Sequence, residues 1–376
     1  MTPEAARSQQ PERDAAEPLR RVIGQVVGDR RGPLTIGIGG IHGNEPSGVQ
    51  ALERVFRTLE EHRLPRTPGT PGTPLRGEFV GLAGNLAALA RGRRYIDKDL
   101  NRQWMPEFVK RLRAAAPRRL TGPEDQEQSD LLAELEAALS RAQDEVFIID
   151  LHTTSSQSGP FVTIGDTLRN REFAMNFPVP MVLGLEEHLG GTLLQYLDNL
   201  GHVTLGFEAG QHEDPESVDR AEATVWTALV AAGNLELGDL AEVDRCQQIL
   251  ARTGRGLPRV LYVRHRHEVS PGSDFRMEPG FANFQPVKRG QLLAWDRDGE
   301  IRSQRPGRIL MPLYQELGED GFFLATEFRP IRLKLSALMR RLRLDAIAHW
   351  LPGVERHSTS TFMNSETAYL SEPVKI

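Results

Sequence analysis

Two apolar periods alternate along this chain. Leu34–Ile38 is a short, mostly apolar run of the kind a buried strand needs. Gly48–Glu61 follows, with Val49, Leu52, Val55, Phe56 and Leu59 at helical spacing. Glu78–Leu82 predicts a short strand and Asn85–Ala90 a short helical turn. Pro123–Ala142 reads as a helix with Leu131, Leu132, Leu135 and Leu139 on one side. Val146-Phe147-Ile148-Ile149 is apolar throughout, which marks a central strand covered on both faces. Val203–Phe207 predicts another strand, and Glu216–Ala232 and Leu240–Ala251 two more helices. This alternation predicts an α/β layer architecture.

The texture changes at about Gly254. From Leu257 to Phe323 the apolar runs are short, Gly and Pro are frequent, and turn signals such as Asp296-Arg297-Asp298-Gly299 recur. A small all-β module is expected there. Arg329–Trp350 looks helical again and is strongly basic, with Leu333, Leu335, Leu338, Met339, Leu342 and Ile347 on an apolar side. That side packs on the body or on a second subunit, which would make a homo-oligomer; contact with an anionic surface is the alternative. The resulting division is a leader at 1–20, an α/β domain at 21–254, a small β domain at 255–325 and a basic extension and tail at 326–376. The repeat Pro65-Arg66-Thr67-Pro68-Gly69-Thr70-Pro71-Gly72-Thr73-Pro74 suits only a surface loop.

Composition narrows the setting. The mean hydropathy is −0.40, and no apolar run approaches the roughly 20 residues that span a bilayer. The first 20 residues have no apolar stretch of the secretory type. Cys246 is the single cysteine, so a disulfide framework and a Cys-rich zinc module are excluded, and the cytoplasm is the expected location. The net charge of −5 gives no footprint for nucleic acid.

The chemistry begins just after the first strand. Ile38-Gly39-Gly40-Ile41-His42-Gly43-Asn44-Glu45 sets His42 and Glu45 three residues apart, among glycines that let the backbone turn sharply. A catalytic zinc takes three protein ligands and keeps one open position. Asp150-Leu151-His152-Thr153-Thr154-Ser155 supplies the third, His152, just past the buried strand at 146–149. Ligands bind at strand ends in open α/β sheets. Glu208, in Gly206-Phe207-Glu208-Ala209-Gly210, is the candidate base. On its own it would be an ordinary solvated glutamate. Arg94, Asn101 and Arg102 lie in a charged run anchored by Tyr95, Ile96 and Leu100. Their positive charge suits a substrate carboxylate, whereas such runs by themselves are usually solvated loops.

Four strings, in this order, resemble the succinylglutamate desuccinylase and aspartoacylase family of the zinc carboxypeptidase-like group. They are Gly40–Glu45, Arg94–Arg102, Asp150–Ser155 and Phe207–Gly210. The resemblance spans about residues 20–325, and Arg-Tyr-Ile-Asp-x-Asp-Leu-Asn-Arg is its most specific string. It implies an α/β fold with a mixed twisted sheet flanked by helices, and a small C-terminal all-β domain narrowing the entrance. It implies one Zn2+ per chain on His42, Glu45 and His152. Glu208 would activate water and protonate the leaving amine, Arg94 would polarise the amide carbonyl, and Asn101 and Arg102 would hold a substrate carboxylate. The expected activity is zinc-dependent deacylation of an N-acyl amino acid or similar small amide. A carboxypeptidase-like peptidase and a non-catalytic metal-containing binder are the alternatives, and ligand type alone does not fix zinc over another divalent ion.

The chain also departs from that family. Aspartoacylase proper carries a further arginine before the catalytic glutamate, where this chain has Gln195-Tyr196-Leu197-Asp198-Asn199. It uses a tyrosine from the small domain, where this chain has Phe322-Phe323, with Tyr314 nearby. A substrate with one carboxylate, or with an apolar or cationic side chain, is therefore expected over a diacid.

Overall fold

The computed structural model describes residues 19–63, 74–114, 122–270 and 272–328. The leader, the Thr-Pro-Gly repeat and the basic C-terminal segment lie outside them apart from their edges. The strands, in chain order, are β1 (Val22–Val27), β2 (Arg30–Gly39), β3 (Arg76–Ala83), β4 (Val146–Thr154), β5 (Phe161–Ile164), β6 (Met181–Leu183), β7 (Val203–Gln211), β8 (Val260–Glu268), β9 (Arg276–Met277), β10 (Pro286–Val287), β11 (Leu292–Asp296), β12 (Gly299–Arg302), β13 (Gly307–Leu310) and β14 (Asp320–Glu327). The helices are α1 (Ser47–Arg63), α2 (Leu86–Leu89), α3 (Pro106–Ala114), α4 (Pro123–Arg141), α5 (Leu168–Ala174), α6 (Leu193–Asn199), α7 (Ser217–Ala232) and α8 (Ala241–Thr253).

One mixed sheet of 11 strands runs in the order β1-β3-β2-β4-β7-β5-β6-β8-β14-β13-β10. Its middle, β3, β2, β4 and β7, is parallel. Antiparallel strands close both ends. Residues Leu34, Ile36, Ile38, Ile148, Ile149, Leu205 and Phe207 are almost wholly buried, as expected of strands covered on both faces. A second sheet, β12-β11-β9, is antiparallel and small. It shares with β13 and β14 a core of Met277, Phe281, Leu293, Ile309 and Phe322. The C-terminal strands are not detached from the rest, because β8 pairs in parallel with β6 and carries β14, β13 and β10 outward.

Two strand boundaries differ from the sequence reading, and both concern the site. The apolar run at 146–149 ends at a carboxylate, which suggested a strand end. In fact β4 continues through His152 to Thr154, and β7 continues past Glu208 to Gln211. The polar residues stay in the ladder because the neighbouring strand meets their backbone groups while their side chains enter a cavity. His152 sits opposite Glu208 in this register.

A close approach explains two of the glycines. A Cβ on Gly39, at the end of β2, would lie 2.5 Å from the backbone of Gly48 in the first turn of α1. A Cβ on Gly48 would lie 2.7 Å from Cβ of Leu151. The helix therefore starts directly against β2 and β4, and the segment between strand and helix must fold tightly above them. Among the described residues, no helix is long and apolar enough to cross a membrane.

Candidate metal centre and active-site cavity

That tight segment carries His42 and Glu45. Gly40 makes the turn with φ of +71°, and the Glu45 amide donates to the His42 carbonyl at 3.1 Å. Both side chains are buried. His152 reaches the same point from β4. His42 Nδ1 lies 3.1 Å from Glu45 Oε1, and His152 Nδ1 lies 3.0 Å from Glu45 Oε2. One donor atom from each of the three residues falls within 4.8 Å of the others.

The far side of each ring is held by a carboxylate. His42 Nε2 is 3.1 Å from Asp99 Oδ1. His152 Nε2 is 2.9 Å from Asp150 Oδ2, an ion-pair distance without hydrogen-bond alignment. A metal-binding histidine needs this support, since a proton held on one nitrogen leaves the other's lone pair for the ion. Two imidazoles and a carboxylate converging this way are the donor set of a catalytic zinc site. The residues therefore fit the ion that the sequence suggests.

Charge accumulates around this set. Burial alone would raise the carboxyl of Glu45, but His42 and His152 outweigh it and hold the group well below its usual range. Burial likewise raises Asp99, and His42 and Arg94 reverse the direction. For His152, burial opposes the charged ring, yet Asp150 and Glu45 lift its pKa well above the ordinary value. Glu208 behaves differently. Burial pushes it to about 8, against the pull of His152 and Arg94. Its Oε2 is buried without a hydrogen-bond partner among the described residues.

Arg94 lies against the same group. Its Nη2 donates to Asp99 Oδ2 at 3.0 Å and its Nη1 to Glu45 Oε1 at 3.5 Å. Asn101 and Arg102 lie on a 3-10 turn, Leu100–Arg102, capped by Asp99. Asn101 Oδ1 accepts from the Leu193 amide at 2.9 Å, at the start of α6. Arg102 Nη2 donates to Asp320 Oδ2 at 2.6 Å, and its buried Nε has no partner among the described residues. The cavity brings together all seven residues singled out in the sequence: His42, Glu45, Arg94, Asn101, Arg102, His152 and Glu208.

Other lining residues had not been singled out. Glu186 and Thr192 come from the segment between β6 and α6, and Asp320 from β14. His212 Nδ1 is 2.7 Å from Thr153 Oγ1, and its Nε2 is 3.1 Å from Gln315 Oε1. Asn44 Nδ2 donates to the same Gln315 oxygen at 3.1 Å. The one sequence signal for His212 was its place four residues after Glu208. Tyr314 is not among the lining residues; its hydroxyl donates to the Glu278 carbonyl at 2.8 Å. Phe323 does line the cavity. Helix α6 carries Tyr196, whose hydroxyl accepts from Arg113 at 3.1 Å, and offers the cavity no arginine.

Comparison with known proteins gives one consistent result. A family model described as the succinylglutamate desuccinylase/aspartoacylase catalytic domain matches residues 32–232. A probable aspartoacylase of Nostoc sp. is 24% identical over 283 residues, covering 74% of this chain and 88% of the relative. A succinylglutamate desuccinylase of Pseudomonas paraeruginosa is 25% identical over 295 residues, covering 73% and 77%. Among solved structures, a succinylglutamate desuccinylase/aspartoacylase from Rhodobacter sphaeroides superposes with a TM-score of 0.56 at 19% identity, covering 80% of this chain and 87% of that one. The ectoine utilization protein EutE (DoeB) from Ruegeria pomeroyi, in a product-bound structure, gives 0.55 at 20% identity, covering 80% and 86%. At these identities the structures share the fold.

Proposed function

This chain belongs to the succinylglutamate desuccinylase/aspartoacylase family of deacylases, and from that premise we propose that it is a zinc-dependent amidohydrolase acting on an N-acyl amino acid or similar small amide. In this reading His42, Glu45 and His152 hold one Zn2+. When bound, the ion supplies Lewis acidity at the scissile carbonyl and brings the pKa of a water to about 7.

The chain's own groups do the rest. Glu208 accepts a proton from the attacking water at its unpartnered Oε2. The water oxygen adds to the carbonyl carbon, the carbon–nitrogen bond breaks, and Glu208 returns the proton to the leaving nitrogen. The products are a carboxylic acid and a free amino compound. Arg94 offers its guanidinium to the charge that grows on the carbonyl oxygen. Asn101 and Arg102 receive a substrate carboxylate. Asp99 and Asp150 keep the protons of the two imidazoles on their Nε2 atoms, so that both Nδ1 lone pairs face inward. A cytoplasmic setting fits the single cysteine, which has no disulfide to form.

The observation that carries this reading is Glu208, buried beside three converging donors with one oxygen unpaired. A protein that only bound a metal would have no use for such a carboxylate. The test is a panel of N-acyl amino acids incubated with metal-loaded protein, with free amine as the readout. Glu208→Ala should keep stoichiometric zinc and lose turnover. Full activity in that variant would overturn the mechanism.

A further inference from the structure

Four acidic side chains line the cavity: Glu45, Glu186, Glu208 and Asp320. Glu45 and Glu208 have roles in the reaction above. Asp320 is neutralised by two guanidiniums, those of Arg102 and Arg266. Glu186 has no such partner. It is 7% exposed, and no lysine or arginine among the described residues comes within ion-pair distance of it. Its Oε2 accepts from Thr192 Oγ1 at 2.7 Å, and its Oε1 has no hydrogen-bond partner among the described residues.

Leaving a carboxylate in this state is costly, and burial accordingly pushes its pKa upward. Yet the position is built. Thr192 caps α6, accepting from the Gln195 amide at 3.1 Å while its proton goes to Glu186. The next residue, Leu193, donates its amide to Asn101 Oδ1. One helix start thus fixes Glu186 beside the residues proposed to hold the substrate carboxylate. The positive charges of the cavity are meanwhile engaged, Arg94 by Asp99 and Glu45, and Arg102 by Asp320. A second substrate carboxylate would find no uncommitted arginine here and would meet Glu186. A cation would find the partner that Glu186 lacks.

We propose that Glu186 sets substrate specificity by receiving a cationic group on the side chain of the amine half, so that the substrate is an N-acyl amino acid bearing both a carboxylate and an ammonium or similar cation. This rests on the deacylase reading and narrows it.

Three probes of similar length test it: Nα-acetyl-ornithine, Nα-acetyl-norleucine and Nα-acetyl-glutamate, which end in ammonium, methyl and carboxylate. With metal-loaded full-length protein, kcat/KM for the ornithine compound should exceed that for the norleucine compound about 10- to 100-fold, the range of a charge-assisted hydrogen bond. The glutamate compound should be the poorest. In E186Q the ornithine-to-norleucine ratio should collapse by about tenfold or more, mainly through KM. Equal or better hydrolysis of the norleucine or glutamate compound overturns the proposal, as does a ratio that survives in E186Q. If E186Q does not fold, the wild-type ratios decide. If none of the three is hydrolysed by metal-loaded protein, the wider panel of N-acyl amino acids decides the deacylase reading. Calorimetric titration with free ornithine and free norleucine then decides this proposal separately, a preference for ornithine supporting it and its absence refuting it.

Discussion

His152 and Glu208 sit opposite one another, in register, on the adjacent parallel strands β4 and β7. Side chains at matched positions of neighbouring strands leave the sheet on the same face, about 5 Å apart. The sheet itself therefore sets the spacing between a proposed metal donor and the proposed base. Replacing Glu208 with Gln keeps the shape and removes the proton acceptor. The variant should bind zinc as the wild type does and lose about 10²- to 10⁴-fold in kcat, measured beside its metal content.

The same carboxyl makes stability depend on pH when the metal is stripped. Its folded pKa of about 8 lies above the ordinary 4.5. Across that interval the folded chain keeps a proton that the unfolded chain has released. Stability of the metal-free protein should therefore fall as pH rises from 4.5 towards 8, and the loss should be complete above 8. Metal-free Glu208→Gln escapes this loss, so it should melt above metal-free wild type at alkaline pH and level with it at acid pH. Zinc favours the ionised carboxylate and should shrink the difference. Thermal melts with chelator and with zinc check both statements.

Asp99 and Asp150 touch the imidazoles on the sides that face away from Glu45. Asp99→Asn and Asp150→Asn should leave all three donors in place while lowering zinc affinity about 10- to 100-fold, as supporting carboxylates do elsewhere. Competition against a fluorescent chelator measures this without any substrate. Unchanged affinity in both would show that the contacts do not orient the rings.

Asp320 joins Arg102 on the 3-10 turn to Arg266 on β8. Removing its charge leaves two partly buried guanidiniums facing each other. Asp320→Asn should cost about 2 kcal/mol in denaturant unfolding, less than a fully buried pair because the site is partly open. It should also remove one negative charge from the cavity lining, so selectivity should move towards substrates with a second carboxylate. A competition assay between acidic and neutral N-acyl amino acids reads that shift.

Cys246 is 1% exposed on α8, and burial, followed by the charge of Glu222, pushes its thiol up to about 11. Reagents attack the thiolate. The native protein should therefore resist thiol labelling at neutral pH and take up one label once unfolded. The labelling rate under native conditions would report local opening of α8.

The residues of the candidate site were more legible in the sequence than those around them. His42, Glu45, His152 and Glu208 stand out because each is of a type that can ligate a metal or take a proton and follows an apolar run, with glycines close to His42, Glu45 and Glu208. Arg94 and Arg102 were legible as charges within an anchored string. The sequence assigns no strand or helix between Ser155 and Asn199. That segment builds its structure from strands of four and three residues, β5 and β6, and two helices of seven. Windows that short give no period to detect. Glu186 and Thr192 lie in that segment. Asp320 and Gln315 were hidden for another reason. Their partners, Arg102, Asn44 and His212, are more than a hundred residues away in sequence, and only the sheet order joins them.

The order of the strands along the chain has a consequence in time. By the end of β4 a growing polypeptide already contains His42, Glu45 and His152. Glu208 emerges only with β7, and Gln315 and Asp320 come after a further stretch that includes β8 to β13. During synthesis, the three residues proposed to hold the ion, with Arg94, Asn101 and Arg102 between them, thus leave the ribosome before the proposed base. Glu186 follows them, then Glu208, and Asp320, the partner of Arg102, comes last. A chain stopped before β7 would carry the proposed ligands and lack the proposed base.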